Sequence, residues 1–331
     1  MSASPWKNIR YRCEWLGIWL LSNAIPLVPR TLVLLGAKGL GLMAYHLDKS
    51  GRTTALENLH AAFGNDLNDK ERRRLAKLSY QSFARTVCDQ FWTRRITKEN
   101  FSKYCRIEFD SEDDFRNATQ SGAIWVTPHY GNFEWIALCA GFLDLSFLII
   151  AQEFGNPLLT DIFKKNREAS GHKVVAQRHA MLRMMKHLQN GGHAAFLTDL
   201  TIRPSKAATV IECMGLKTCV TNLHANLLKR TKLPVIPGIC IPSDDGTYTM
   251  RALPQLRLPE DATIQQLTQA CWDAFEPVIR QNPEHWIWMY KHWRYKPREH
   301  KRTYPAYSNF SKRFDNVLAL ALAENDTSSA S

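Results

Sequence analysis

The sequence contains no C-x-x-C pair, no G-x-S-x-G elbow, no H-E-x-x-H pattern and no internal repeat. These absences exclude, in turn, the common zinc ligand spacing, a hydrolase-type serine nucleophile, zinc-protease chemistry and a repeat array. No run of about 18 uncharged apolar residues occurs, which excludes a polytopic membrane pattern. Acidic residues are scarce, with 31 Asp and Glu against 43 Lys and Arg, a net charge of +12.

What is present describes a folded chain. Its 331 residues suffice for one large domain or two ordinary ones. An apolar share of 45% with 22% charged residues is globular and excludes a mainly disordered chain. The eight cysteines sit mostly inside apolar runs and read as free core thiols in a reducing compartment. No metal site is expected. The positive excess suits an anionic partner, which nucleic acid, a membrane or an acidic protein could each supply. Ten Trp and ten Tyr lean toward the membrane, because these rings favour the lipid–water interface.

Along the chain, Trp15 to Pro29 carries no charge, and Thr31 to Tyr45 is interrupted only by Lys38. Each is shorter than the roughly 20 residues of a spanning helix. Together they read as a helical hairpin in or on a membrane, a tilted span followed by an interfacial helix, or a buried helix pair. Gly39-Leu-Gly-Leu-Met-Ala44 matches a dinucleotide fingerprint. Its glycines follow helical spacing, so close helix approach explains them better. Residues 52–95 read as two helices around Gly64-Asn65-Asp66, with Arg72, Arg73 and Arg74 on a solvated or headgroup face. From residue 122 strands and helices alternate, which predicts an α/β fold, a central mixed sheet covered by helices on both faces. The expected division is a membrane-associated helical region over 1–50, a main domain over 51–315 and a disordered tail over 316–331.

The sharpest motif is Thr127-Pro-His-Tyr-Gly-Asn-Phe-Glu-Trp135, which follows an apolar strand and opens a helix. His129 falls on the loop at the strand's carboxyl end, where α/β sheets bind ligands. Gly131 permits a tight turn, Asn132 suits a helix N-cap, and Glu134 lies in the first helical turn. A carboxylate on one imidazole nitrogen fixes the tautomer and lets the other nitrogen take a proton from a substrate hydroxyl. Lys291 to Arg302 adds six cations against one acid, Glu299, with Trp286, Trp288, Tyr290, Trp293 and Tyr295 interleaved at its start. Such a cluster fits a membrane or acidic-carrier contact, a solvated surface, or stacking on nucleic acid. No nucleic-acid module accompanies it.

The strand followed by H-x-x-x-x-E resembles the lipid A late acyltransferases, the lauroyl and myristoyl transferases of the lysophospholipid acyltransferase-like superfamily. The likeness extends to Arg52-Thr-Thr-Ala-Leu-Glu-Asn-Leu-His-Ala-Ala-Phe63 and Gly191-Gly-His-Ala-Ala-Phe-Leu-Thr-Asp199. It includes Glu212-Cys-Met-Gly215, with a helix entrance expected at Thr218 to Thr221. It closes with Pro283-Glu-His-Trp-Ile-Trp-Met-Tyr-Lys-His-Trp-Arg294. Leu200 stands where the family usually has glutamine, and Cys213-Met214 where it has two aromatics. These departures bear on the acceptor rather than the reaction.

The resemblance implies a glycerolipid acyltransferase-like fold. It implies O-acyl transfer from a thioester, on acyl carrier protein or coenzyme A, to a hydroxyl of a lipid A-type glycolipid or a lysophospholipid, with a lipid A precursor or other anionic lipid and the membrane surface as partners. The expected place is the cytoplasmic face of the inner membrane, with no cofactor and no nucleic acid partner. His129 would be the general base and Glu134 its orienting partner. Arg167, Asp199, Asn132 and Arg203 would contribute to substrate binding. A thioester hydrolase on the same site and a non-catalytic basic scaffold are the alternatives.

Overall fold

The structure, a computed structural model, describes residues 5–151, 155–176 and 180–328. Four helices come first: α1 (Pro5–Ala24), α2 (Arg30–Leu47), α3 (Lys49–Phe63) and α4 (Asp69–Trp92). The α/β part follows as β1 (Cys105–Phe109), α5 (Glu112–Ser121), β2 (Ala123–Thr127), α6 (Phe133–Phe142), β3 (Phe147–Ala151), α7 (Pro157–Glu168) and β4 (Lys173–Ala176). It continues with α8 (Ala180–Gln189), β5 (His193–Leu197), β6 (Ala208–Cys213), β7 (Leu216–Thr221), α9 (Leu223–Thr231), β8 (Val235–Pro242) and β9 (Tyr248–Ala252). The chain closes with α10 (Ile264–Gln281), β10 (Tyr295–Lys296), β11 (Asn309–Phe310) and α11 (Lys312–Ser328).

The sheet has seven strands in the order β1-β9-β8-β2-β5-β3-β4. Only β8 and β9 pair antiparallel, so the sheet is mixed. Successive residues of its central strands enter different apolar clusters. Ile124, Val126, Val235 and Ile239 join the largest one, while Ala123, Trp125 and Ile236 join another. Alternation of this kind means that both faces of the strands are covered.

The turn Met214-Gly215 has φ of 52° and 78°, a pair of left-handed residues that closes a β-hairpin between β6 and β7. The helix entrance expected at Thr218 to Thr221 is therefore the end of strand β7. The β-branched residues Thr218, Val220 and Thr221 fit a pleated ladder better than a first helical turn. Strand β1 had no counterpart in the sequence reading, although Cys105, Ile107 and Phe109 alternate with Arg106 and Glu108 in a strand's period of two.

The two helices around Gly64 are present. A capping box at Asn68 and Glu71 starts α4. Gly41 lies within α2, against α4. A Cβ placed there would meet the Gln81 Cα at 2.5 Å, so only glycine allows this approach. Of the two fingerprint glycines, Gly41 thus serves helix contact, whereas a Cβ at Gly39 would meet nothing within 4 Å. All eight cysteines are free, seven of them buried and Cys13 exposed.

At the carboxyl end, residues 316–328 are not the expected loose tail. They continue α11, whose Phe314 and Ala321 are buried. Residues 329–331 of that expected tail lie outside the described residues. Among the described residues, no helix is long and apolar enough to cross a membrane.

Candidate active site

Strands β2 and β5 pair in parallel, with Thr127 opposite Leu197. Each strand then contributes a residue two positions beyond its end, His129 from one and Asp199 from the other. Parallel register alone brings the two together. His129 Nδ1 lies 2.7 Å from Asp199 Oδ1. The His129 backbone N–H donates to Oδ2 at 3.0 Å, and the Trp286 indole N–H donates to the same oxygen at 2.8 Å. Asp199 is fully buried, whereas the His129 side chain is 16% exposed.

Burial alone would raise the Asp199 pKa. The His129 charge and hydrogen bond, with help from Trp286, outweigh burial and hold it below the ordinary range. Asp199 is thus ionised and can only accept. Nδ1 must then carry a proton, which leaves Nε2 as the basic nitrogen. Nε2 has no hydrogen-bond partner among the described residues.

Glu134 was expected on the imidazole. It binds Arg167 instead, with Nε to Oε2 at 3.0 Å and Nη2 to Oε1 at 2.6 Å. This two-pronged pair is 17% and 22% exposed. No hydrogen bond joins Glu134 to His129 among the described residues, so the orienting carboxylate in this structure is Asp199. The physical reason is direction. Asp199 reaches Nδ1 from the neighbouring strand, while α6 carries Glu134 toward the last turn of α7. Burial works against the Arg167 cation, but Glu134 more than compensates and raises its pKa.

Asn132 caps α6 as expected, accepting from the Trp135 N–H at 3.2 Å. It is fully buried and donates to Asp89 Oδ2 at 3.3 Å. Asp89, on α4, also takes Arg30 from the start of α2 and the Tyr248 hydroxyl from β9. Asn132 therefore holds the loop in place and faces the interior. Arg203 is exposed on the connection between β5 and β6, and its side chain makes no hydrogen bond or ion pair among the described residues. The structure does not bring it to the others.

Gly131 has φ of +55°, and a Cβ there would lie 1.8 Å from the Cys240 carbonyl oxygen. The turn after His129 thus presses against β8 with no room for a side chain. From the other side, the Gly131 N–H donates to the His285 carbonyl at 2.9 Å, and Thr86 donates to the Gly131 carbonyl at 2.9 Å.

The aromatic cluster near the C-terminus needs correction. Trp286, Trp288 and Trp293 are fully buried, so they form core and cannot meet a membrane or a carrier. Trp286 stacks on His292, with centroids 3.8 Å apart. Sequence reasoning missed Trp286, Asp89 and Arg30 as parts of the site. For Trp286 a signal existed in its place within Pro283 to Arg294.

His224 and His292 lie fully buried, and burial pushes both down to about 4. Both ring nitrogens of His224 lack a hydrogen-bond partner among the described residues. The folded state keeps both rings neutral while the unfolded chain protonates near pH 6.5, so the unfolded state binds more protons between these values. Stability should therefore fall as pH drops from 6.5 toward 4, by on the order of 3 kcal/mol per ring. Replacing His224 with leucine should make this decline visibly shallower in urea unfolding at pH 7, 6 and 5. An unchanged slope would show that His224 does not contribute.

The profile of the family described as bacterial lipid A biosynthesis acyltransferase matches residues 5–295. The chain belongs to this family. Comparison with curated proteins found no match. Membership in the lipid A acyltransferase family supports acyl transfer as the general function.

Proposed function

We propose that this lipid A-type acyltransferase moves a fatty acyl group from a thioester to a lipid hydroxyl, with His129 as general base. The observation that carries the reading is the free Nε2 of His129, set at the carboxyl end of the sheet by the buried Asp199. The acceptor hydroxyl gives its proton to Nε2 as its oxygen attacks the thioester carbonyl. Asp199 offsets the charge of the imidazolium. Collapse of the tetrahedral adduct expels the thiolate, which takes the proton back from Nε2. One ester bond forms, one thioester bond breaks, and a thiol leaves. Arg167, held by Glu134, offers a cation to the oxyanion or to a lipid phosphate. The donor is acyl carrier protein or acyl-coenzyme A, and the acceptor a lipid A precursor or another anionic lipid.

We further propose that the N-terminal helices rest on the cytoplasmic face of the inner membrane. Thirteen of the 22 exposed large hydrophobic residues among the described residues belong to positions 6–47, including Trp6, Trp19, Leu27, Leu35 and Leu47. A soluble monomer rarely leaves such a surface bare. Lying on the interface accounts for them without a spanning helix.

The test is mass spectrometry of membrane lipids from cells with and without the protein. The expected result is one lipid gaining the mass of one acyl chain, which would name acceptor and chain length together. Free fatty acid released without any acylated lipid would favour hydrolysis instead. No change in any lipid, with the protein present in the membrane fraction, would count against catalysis.

A further inference from the structure

One charged feature lies outside the site. Along α4, Lys70, Arg73, Arg74 and Lys77 follow helical spacing and line one groove with Leu42 of α2 and Leu78. Its volume is about 600 Å³. All four cations are exposed. None has an ion-pair partner among the described residues. The one carboxylate in the groove, Asp69, is bound by Arg72 at 2.5 Å. Lys77 lies 5.7 Å from the Tyr45 ring, a contact that does not neutralise it. Arg72 is spent differently, since it caps the carbonyls of Gly64 and Leu67.

The other wall decides the partner. Leu42 is 40% exposed, and Leu35, Leu40, Met43 and Leu47 on the same helix are more exposed still. An acidic protein would satisfy the cations and leave these side chains in water. A membrane with anionic headgroups satisfies both at once. Apolar side chains enter the acyl region while the cations stay at phosphate level. The same helix meets the site through its other face, where buried Ser79 donates to the Trp286 carbonyl and Thr86 to that of Gly131, while the four cations face outward.

We infer that the α2–α4 groove is a binding site for the phosphate-bearing headgroups of anionic lipids, and that it gives the membrane contact its lipid preference. This inference rests on the interfacial reading of the N-terminal helices given above.

The experiment is flotation of the full-length protein with vesicles of phosphatidylcholine alone and of phosphatidylcholine mixed with phosphatidylglycerol. The wild type is compared with a variant combining Arg73→Gln, Arg74→Gln and Lys77→Gln. These side chains are exposed and unpaired, and matching thermal melts would confirm intact folding. At about fivefold per cation, the variant should bind the anionic vesicles on the order of 10²-fold more weakly. It should bind neutral vesicles like the wild type, and salt should erase the wild-type preference. Equal wild-type binding to both vesicle types, or a variant that keeps the preference, overturns the groove and leaves the membrane reading standing. A wild type that binds neither vesicle overturns both. A variant that keeps its vesicle binding but needs more acyl carrier protein, and no more acyl-coenzyme A, also overturns it, because the groove would then be a carrier site.

Discussion

His129→Ala is expected to lower acyl transfer by about 10²–10⁴-fold, the usual contribution of a positioned base. The loss should appear in kcat, since the ring acts on the hydroxyl proton in the transition state. Folding should survive. Asp199 would keep two of its three donors, the backbone N–H of residue 129 and the Trp286 indole. The cost is that of one buried hydrogen bond, about 1–3 kcal/mol. His129→Gln is a sharper companion, because its amide can donate to Asp199 but has no basic nitrogen. Turnover within tenfold of wild type in both variants, with the thioester donor saturating, would remove His129 from the chemistry.

The second large effect concerns which carboxylate serves the imidazole. Asp199→Asn keeps size and shape but replaces one acceptor oxygen with a donor. Oδ2 receives two N–H groups, so the new amide would settle with its oxygen there and turn its NH₂ toward Nδ1. Nδ1 would then have to accept, and the proton would move to Nε2, leaving no base for the substrate. We expect a loss of about 10³-fold or more, comparable to that from removing the base itself. Glu134→Gln should cost less, about tenfold, because its amide oxygen can still accept from the Arg167 guanidinium. Matched rates of the purified variants would settle the order. A Glu134→Gln loss far larger than that of Asp199→Asn would return the orienting role to Glu134.

The split between what the sequence disclosed and what it withheld follows from the range of the interactions. The Thr127–Trp135 motif is local. A strand, a glycine turn and an N-cap within nine residues could be read directly, and His129, Gly131 and Asn132 occupy those positions. The alternation after residue 122 likewise disclosed an α/β sheet, because a period of two against one of 3.6 is a short-range signal. The partner of His129 was not local. Asp199 is 70 residues away, and which strand end lies beside β2 depends on strand order, which no periodicity records. Glu134, five residues on, was the nearer candidate in sequence and the wrong direction in space. The tryptophans after Pro283 misled for a related reason. Aromatics among cations read as surface, yet the loop turns Trp286, Trp288 and Trp293 inward and leaves Lys291 and Arg294 outside. Composition describes a segment and does not say which way its side chains point.

The Asp89 cluster also fixes an order of events during synthesis. Arg30, Asp89 and Asn132 emerge from the ribosome early, but the Tyr248 hydroxyl follows 159 residues behind Asp89. Strand β1 waits for the same segment, since among the described residues it pairs with β9 alone, Cys105 opposite Tyr248. Until then the nascent chain carries an incompletely satisfied carboxylate and an unpaired strand, while α1 and α2 already expose their leucines. Long-range closures of this kind are slow and leave intermediates open to aggregation. A bilayer close to the ribosome would shelter the leucines during that interval, so early membrane contact would also serve folding.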